Sequence, residues 1–222
     1  MRYDTSQKER TRARVLKAAA RAIRAGGPER VAVAGVMAEA GLTHGGFYAH
    51  FASKDELIAA AIDATFADAL RQFAALTDGK PPGAALVAYV DFYLSPAHRD
   101  QPERGCPLPS LAADLPRLAP AARRAFGSGL AGVIDAMASL LSALGHVDAV
   151  PLATSIVSEL AGALALSRAV ADRTRSNAIL AASHAAIAQR LSPASSKRAG
   201  RVDPRMARYG VPRRVSRNPA SD

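Results

Sequence analysis

The chain has 222 residues, a net charge of +10, and 49% hydrophobic but only 5% aromatic residues. This length fits one domain, or a small module fused to a larger one, and the single cysteine excludes an intrachain disulfide framework. The apolar residues are mostly Ala, Leu and Val, and because alanine and leucine favour helices we predict an all-α protein.

Three helices are predicted within the first fifty residues. Helical spacing of apolar residues predicts a basic first helix over 6–25. A second helix is expected over 33–40, ended by Gly41 at the C-terminal cap. Thr43 is then a suitable N-cap for a third short helix, 44–50.

A long fourth helix, 54–76, is predicted to begin at a capping box formed by Ser53 and Glu56. The polar, proline-containing segment 95–105 is predicted to be a loop. Five further helices are expected at 84–94, 106–115, 121–144, 151–171 and 173–191.

Positive charge is concentrated at the two ends of the chain. Residues 1–24 contain eight Lys or Arg against two acidic residues, and residues 193–222 contain the same numbers. Basic ends favour contact with a polyanion, of which nucleic acid is the obvious candidate. The alternative is that the charged segments are merely solvated, which we favour for the tail.

The N-terminus lacks the apolar core of a signal peptide. The longest apolar stretch, 150–171, contains Glu159 and Arg168, so a buried helix is expected rather than a membrane span. One cysteine fits a reducing cytosol. A cytoplasmic protein without a membrane partner is therefore predicted.

Two short helices joined by a tight turn, behind a basic helix, form a helix-turn-helix arrangement. In that motif the second helix enters the major groove of DNA. Its sequence context, Glu39–Ile62 (EAGLTHGGFYAHFASKDELIAAAI), resembles the signature of the TetR family of transcriptional repressors. The resemblance implies a DNA-binding head over 1–53 with a basic arm, 1–8, and a helical ligand-binding and dimerisation bundle over 54–192. A basic tail, 193–222, is left over and is predicted to be disordered.

The resemblance also implies roles for individual residues. Phe47 and Phe51 would pack inward, while the DNA-contacting residues would be Thr43, His44, Gly45, Gly46, Tyr48, Ala49, His50 and Lys54. Gly45 and Gly46 each cost about 1 kcal/mol of helix propensity relative to alanine, and close approach of the backbone to DNA explains them. One departure is Ala32, which stands where the family has a capping Thr or Ser, so a cap is lost there.

The resemblance further implies a ligand-responsive transcriptional regulator. It would bind a palindromic operator as a homodimer, as a repressor that a small-molecule inducer releases. We expect the dimer to form through the last two helices, where small residues permit close approach: Gly162, Ala163, Ala165, Ala181 and Ala182. The alternative is that these faces are core of the single chain.

The inducer is predicted to be apolar or weakly polar. Candidate ligand-binding residues are Phe66, Phe73, Tyr89, Phe92, Tyr93, Cys106, Leu111 and Phe126. Two interpretations of Cys106 are open. Its place at the start of a predicted helix next to Arg104 would lower the thiol pKa and suit sensing of oxidants or electrophiles. Free cysteines are more often inert and buried, and we favour that interpretation.

Two other classes of function are alternatives. The five histidines have no metal-ligand spacing and no nucleophile motif is present, so we predict no enzyme, no catalytic residue, no metal and no cofactor. A nucleic-acid-binding protein without ligand control, with a tail that adds non-specific affinity, remains the second alternative.

Overall fold

The computed structural model describes residues 2–191, with side chains from residue 6 onward, and this part of the chain is helical without strands. The predicted tail, 193–222, lies outside the described residues. Within the described part the α-helices are α1 (Arg2–Gly26), α2 (Val33–Glu39), α3 (Lys54–Thr77), α4 (Pro82–Tyr93), α5 (Pro96–Arg99), α6 (Leu108–Leu111), α7 (Pro120–Ala143), α8 (Ala149–Ala169) and α9 (Arg173–Leu191). Short 3₁₀ helices cover Pro28–Arg30, His44–Ala49, Pro102–Arg104 and Leu115–Arg117.

The long helices agree with the prediction to within a few residues, and α9 has the predicted bounds. Because α1 begins at Arg2, residues 2–8, predicted to be an arm, form its first turns. The predicted helix 106–115 is wrong: the structure has only the single turn of α6 followed by a 3₁₀ turn. Pro107, Pro109 and Pro116 lack backbone N–H donors, which prevents a continuous helix there.

The predicted loop 95–105 contains α5 and is attached to the C-terminal helices. The Ser95 side chain caps α5 by accepting a hydrogen bond from the backbone N–H of His98 at 3.1 Å. Arg99 is buried and donates to the Ser176 hydroxyl at 2.8 Å and to the Asn177 side chain at 2.7 Å. These charge-assisted bonds join α5 to α9.

The first helix and the long third helix connect the N-terminal helices to the bundle. Helix α3 packs against α1, α7 and α4, and the described residues belong to one compact unit. Where α3 crosses α7, Gly129 faces Phe66 so closely that a Cβ atom at 129 would lie 2.1 Å from the Phe66 ring. The glycine therefore permits the two helices to approach.

Two helices, α7 and α8, are long and apolar enough to cross a membrane, with mean hydropathies of 1.4 and 1.6. Core helices of globular proteins also meet these criteria, so the finding is weak evidence for a membrane span. Both helices contribute core side chains such as Met137, Leu141, Ile156 and Leu160. Only 28% and 33% of the two apolar windows are buried, which leaves apolar surface on both helices.

Candidate DNA-binding surface and ligand cavity

The turn between α2 and the next helix is fixed by glycine. Gly41 has a φ of 69°, in the left-handed region that glycine adopts without strain. Its N–H donates to the Ala38 carbonyl at 2.9 Å, and the Leu42 N–H donates to the Met37 carbonyl at 2.9 Å. This pair of bonds is a Schellman motif, which ends α2 and turns the chain sharply.

The segment predicted to be the third α-helix is instead a 3₁₀ helix, His44–Ala49. Thr43 stands at its N-cap position, but its side chain makes no capping hydrogen bond, in contrast to the prediction. Two adjacent glycines weaken α-helix propensity, and a six-residue segment gains little from propagation, so the tighter winding is tolerated. Ala32 stands at the N-cap of α2 without a side-chain bond, because its methyl group has no hydrogen-bond acceptor.

Two buried phenylalanines hold this 3₁₀ helix on the head. The side chains of Phe47 and Phe51 are 2% and 1% exposed, and their rings stack with centroids 5.8 Å apart. Their predicted inward packing is confirmed. The guanidinium of Arg12, on α1, lies over the Phe51 ring at 4.7 Å, so a cation is held beside the 3₁₀ helix.

Most residues predicted to contact DNA lie on one exposed segment. Tyr48 is 73% exposed, and its ring packs edge-on against Phe47 at 5.2 Å. Gly46 and His50 are half-buried, while the exposed members are Thr43, His44, Gly45, Tyr48, Ala49 and Lys54. A Cβ atom at Gly45 would meet no atom within 4 Å, so this surface is open at the backbone.

The capping box positions Lys54 in the first turn of α3. The Ser53 hydroxyl accepts a hydrogen bond from the Glu56 N–H at 3.1 Å, and the Glu56 carboxylate accepts one from the Ala52 N–H at 2.7 Å. The predicted box is confirmed, although its second bond goes to the residue before the N-cap. The start of α3 is therefore fixed directly after the exposed segment.

A cavity of about 390 Å³ lies among α1, α3, α4 and the segment 98–106. Four predicted ligand-binding residues line it: Tyr89, Phe92, Tyr93 and Cys106. The other four do not line this cavity. Phe66 packs edge-on against Phe126, Phe73 packs edge-on against Tyr89, and Leu111 is fully buried. Phe126 also lines a separate apolar groove of about 410 Å³ between α6, α7 and α8.

Sequence reasoning missed the charged residues of the cavity, since they come from distant segments. Arg24, Asp68, Arg71 and Arg104 all line it. The Arg24 guanidinium donates to the Asp68 carboxylate at 3.1 Å and to the Glu103 carbonyl at 2.9 Å. Helical spacing of Asp68 and Arg71 indicates their ion pair, but nothing in the sequence brings Arg24 to them.

His98 forms part of the cavity wall as a neutral ring. Its Nδ1 lies 2.8 Å from the Tyr93 carbonyl and so must carry a proton, while its Nε2 accepts a hydrogen bond from the Cys106 N–H at 3.1 Å. Burial lowers the pKa of His98 below 6.5, and the nearby positive charge of Arg168 acts in the same direction. The imidazole therefore adds no positive charge to the cavity.

The structure does not favour the activated form of Cys106. The thiol is buried, and burial raises its pKa, against smaller opposing effects of Tyr93, the Leu108 backbone and Arg168. The exposed Arg104 does not lower the thiol pKa as expected, because the low-polarity surroundings disfavour the thiolate more strongly. Burial and a raised thiol pKa therefore favour an inert Cys106 over a sensor.

Within residues 2–191, no group of three or more His, Cys, Asp or Glu is arranged to hold a metal ion. Residues 15–61 match the family model described as "Bacterial regulatory proteins, tetR family". No curated protein sequence matches the chain.

Solved structures share the fold over most of their length. E. coli NemR in its reduced form superposes with a TM-score of 0.71 at 19% identity, covering 81% of this chain and 95% of that chain. A TetR transcriptional regulator from Chloroflexus aurantiacus gives 0.71 at 25% identity, covering 84% and 96%. A TetR-family regulator from Streptomyces coelicolor gives 0.64 at 26% identity, covering 82% and 96%.

Proposed function

Because the chain belongs to the TetR family of bacterial regulatory proteins, we propose that it is a ligand-responsive transcriptional repressor in the cytoplasm. In this proposal a homodimer binds a palindromic operator, and a small-molecule inducer releases it. The regulator has a DNA-binding helix-turn-helix head and an all-helical bundle behind it.

The observation that carries the DNA-binding role is the exposed 3₁₀ segment held on two buried rings. Phe47 and Phe51 take up the inward side, so Tyr48, His44 and the bare backbone at Gly45 are left on the outer side. We assign Tyr48 and Lys54 to phosphate oxygens, because a phenol and an ammonium both donate hydrogen bonds to anions. His44 is assigned to a base edge, where an imidazole can donate or accept.

The remaining predicted contacts follow from their places on the same segment. Thr43 can donate its hydroxyl to a phosphate, and Ala49 presents a methyl group suited to apolar contact in the groove. His50 is half-buried, and its Nδ1 is buried without a hydrogen-bond partner among residues 6–191. Gly45 and Gly46 bring the backbone close to DNA.

We assign the dimer interface to the outer faces of α8 and α9. Four exposed alanines of α9 recur at helical spacing and so share one face: Ala178, Ala181, Ala182 and Ala185. On α8, Gly162 is exposed and Leu166 is 60% exposed, whereas Ala163 is buried in the chain's own core and drops out of the predicted set. Pairing two copies of this surface would cover apolar area that a single chain leaves in water.

Release by an inducer requires linkage between the cavity and the head. A ligand weakens DNA binding only by the ratio of its affinities for the two conformations of the protein. Helices α1 and α3 both line the cavity and both pack in the head, so a change at the cavity wall can reach the exposed segment through either helix.

The operator test selects bound fragments of the host genome with purified protein at a stated salt concentration. We expect a palindromic site, because a twofold dimer reads two half-sites about 34 Å apart. Gly46→Leu should lose operator binding while the protein stays folded, since a Cβ atom there would lie an ordinary 3.7 Å from Met37. Gly127→Leu, at an exposed and open position of α7, is the matched control. Normal operator affinity of Gly46→Leu, or selection without sequence preference, would contradict the proposal.

The dimer is tested by Ala182→Arg and light scattering at micromolar concentration. We expect the wild type to have twice the mass of the chain and the variant to dissociate, because a charged side chain would be buried against its symmetry mate. Ala84→Arg, at an exposed position of α4, is the control. A monomeric wild type would rule out the assignment.

A further inference from the structure

The cavity beside α4 combines an aromatic wall with a positively charged opening. Tyr89, Phe92 and Tyr93 form the wall; the rings of Tyr89 and Tyr93 lie 5.7 Å apart, and Phe92 stacks on His98 at 4.9 Å. A volume of about 390 Å³ falls in the range of small-molecule sites. Flat rings on one side favour a flat, apolar ligand body.

The charges of the lining do not balance. Three arginines, Arg24, Arg71 and Arg104, stand against the single carboxylate of Asp68, and His98 is neutral. Arg24 and Arg71 both pair with Asp68, so one carboxylate serves two guanidinium groups. The Arg104 guanidinium is exposed and has no ion pair or hydrogen bond within residues 6–191. An anionic group of a ligand would balance the excess positive charge and accept hydrogen bonds from these guanidinium groups.

Arg24 links the cavity to the DNA-binding head. It lies in the last turn of α1, its side chain is only 10% exposed, and it binds both Asp68 of α3 and the backbone of Glu103. The Tyr93 hydroxyl is also buried; it lies beside the Cys106 thiol, a weak partner, and has no nitrogen or oxygen partner among the described residues. Both groups favour a ligand that carries hydrogen-bond acceptors.

We propose that this cavity binds a small aromatic anion, with its ring on Tyr89, Phe92 and Tyr93 and its anionic group on Arg104 and Arg24, the latter in competition with Asp68. Exchange of the Arg24 partner loosens the contact between α1 and α3 and thereby couples ligand binding to the head. This inference rests on the proposed function as a ligand-responsive regulator and names the chemical class of its ligand.

The ligand class is tested with 2-naphthoate and its uncharged analogue of similar shape, 2-naphthamide, by titration calorimetry on the full chain. We expect naphthoate to bind more tightly than naphthamide. Arg104→Gln should weaken naphthoate binding about 10-fold, the order expected for one hydrogen bond between charged groups, and should leave naphthamide binding unchanged. Arg123→Gln, which removes another exposed positive charge, on α7 and outside the cavity lining, is the control. Equal affinity for the two compounds, or equal naphthoate affinity of the two variants, would overturn the proposal.

The exchange at Arg24 is tested with Asp68→Asn, whose side chain is 45% exposed and so tolerates substitution. Removal of the competing carboxylate should tighten naphthoate binding several-fold. At saturating naphthoate, operator affinity should fall by a smaller factor in Asp68→Asn than in wild type. The reason is that the ion pair between Arg24 and Asp68, which the ligand would break, is already absent in the variant. Unchanged or weaker naphthoate binding, or an equal fall in operator affinity, would overturn the exchange.

The two proposals fail in different ways. If the protein without ligand selects no DNA site, the regulator function fails, while the comparison of naphthoate with naphthamide still decides the ligand class. If naphthoate binds with the expected charge dependence and operator binding is unaffected, the ligand class stands and the Arg24 coupling is overturned.

Discussion

The substitution Tyr48→Phe tests the assigned phosphate contact because it removes one oxygen atom and keeps the ring. The Tyr48 ring packs edge-on against Phe47 at 5.2 Å, and phenylalanine can make the same contact. Its hydroxyl has no hydrogen-bond partner within residues 6–191. We therefore expect the free energy of unfolding to change by less than about 0.5 kcal/mol.

The expected loss of operator affinity is much larger. A hydrogen bond to a charged oxygen contributes about 1.5–3 kcal/mol. A dimer would make the contact twice, so the lower value gives about 3 kcal/mol for the complex, or a roughly 100-fold increase in Kd. Because the phenol is uncharged, the dependence of log Kd on log salt should keep its wild-type slope.

Fluorescence anisotropy of the labelled operator at several NaCl concentrations measures the affinity and the slope. Urea unfolding of the same preparations measures stability. Wild-type affinity of Tyr48→Phe would refute the phosphate contact. A loss of stability above about 2 kcal/mol would instead show that the hydroxyl supports the fold, contrary to its exposed position.

Three further predictions concern charge, capping and pH. Lys54→Gln should weaken binding and reduce the magnitude of the salt slope by about 1 for each head, whereas Lys80→Gln, in the turn after α3, should leave the slope unchanged. Ser53→Ala removes the cap bond to Glu56 and should lower the free energy of unfolding by about 1 kcal/mol, measured in urea; no loss would mean that the box adds nothing to stability. Since burial lowers the pKa of His98, the unfolded chain binds the proton more tightly, and this contribution to stability is complete above pH 6.5 and declines as the pH falls below it. Urea unfolding at pH 7.5 and 5.5 should therefore show a smaller decline in His98→Gln than in wild type; an equal decline would contradict the assignment.

The features that sequence reasoning predicted well depend on contacts between near neighbours. The capping box needs only Ser53 and Glu56, three residues apart, and the end of α2 needs a glycine at 41. The inward packing of Phe47 and Phe51 was implied by the family resemblance, and both side chains are buried. The capping box and the glycine turn could be predicted without knowledge of the rest of the fold.

The features that were missed depend on contacts between distant segments. The cavity charges come from α1, α3 and the 3₁₀ turn Pro102–Arg104, and no pattern in the sequence indicates that Arg24 meets Asp68. The state of Cys106 is also set by packing: Arg104 is close in sequence, but burial decides the thiol pKa. Residues 44–49 form a 3₁₀ helix. The sequence pattern could not predict this, because over six residues it does not distinguish a 3₁₀ helix from an α-helix.

The close crossing of α3 and α7 at Gly129 gives α3 the geometry of a lever. From Phe66 at the crossing, α3 continues for twelve residues to Lys54, about 18 Å at 1.5 Å per residue. If the crossing is the pivot, a tilt of about 5° displaces Lys54 by about 1.6 Å, because the displacement grows with the length of the arm. A hydrogen bond has a donor–acceptor distance of roughly 2.7–3.2 Å, so that displacement is enough to break one. In a twofold dimer both copies of α3 would tilt. A small change beside the cavity would then alter the separation of the two DNA-binding heads, whereas the spacing of successive major grooves is fixed.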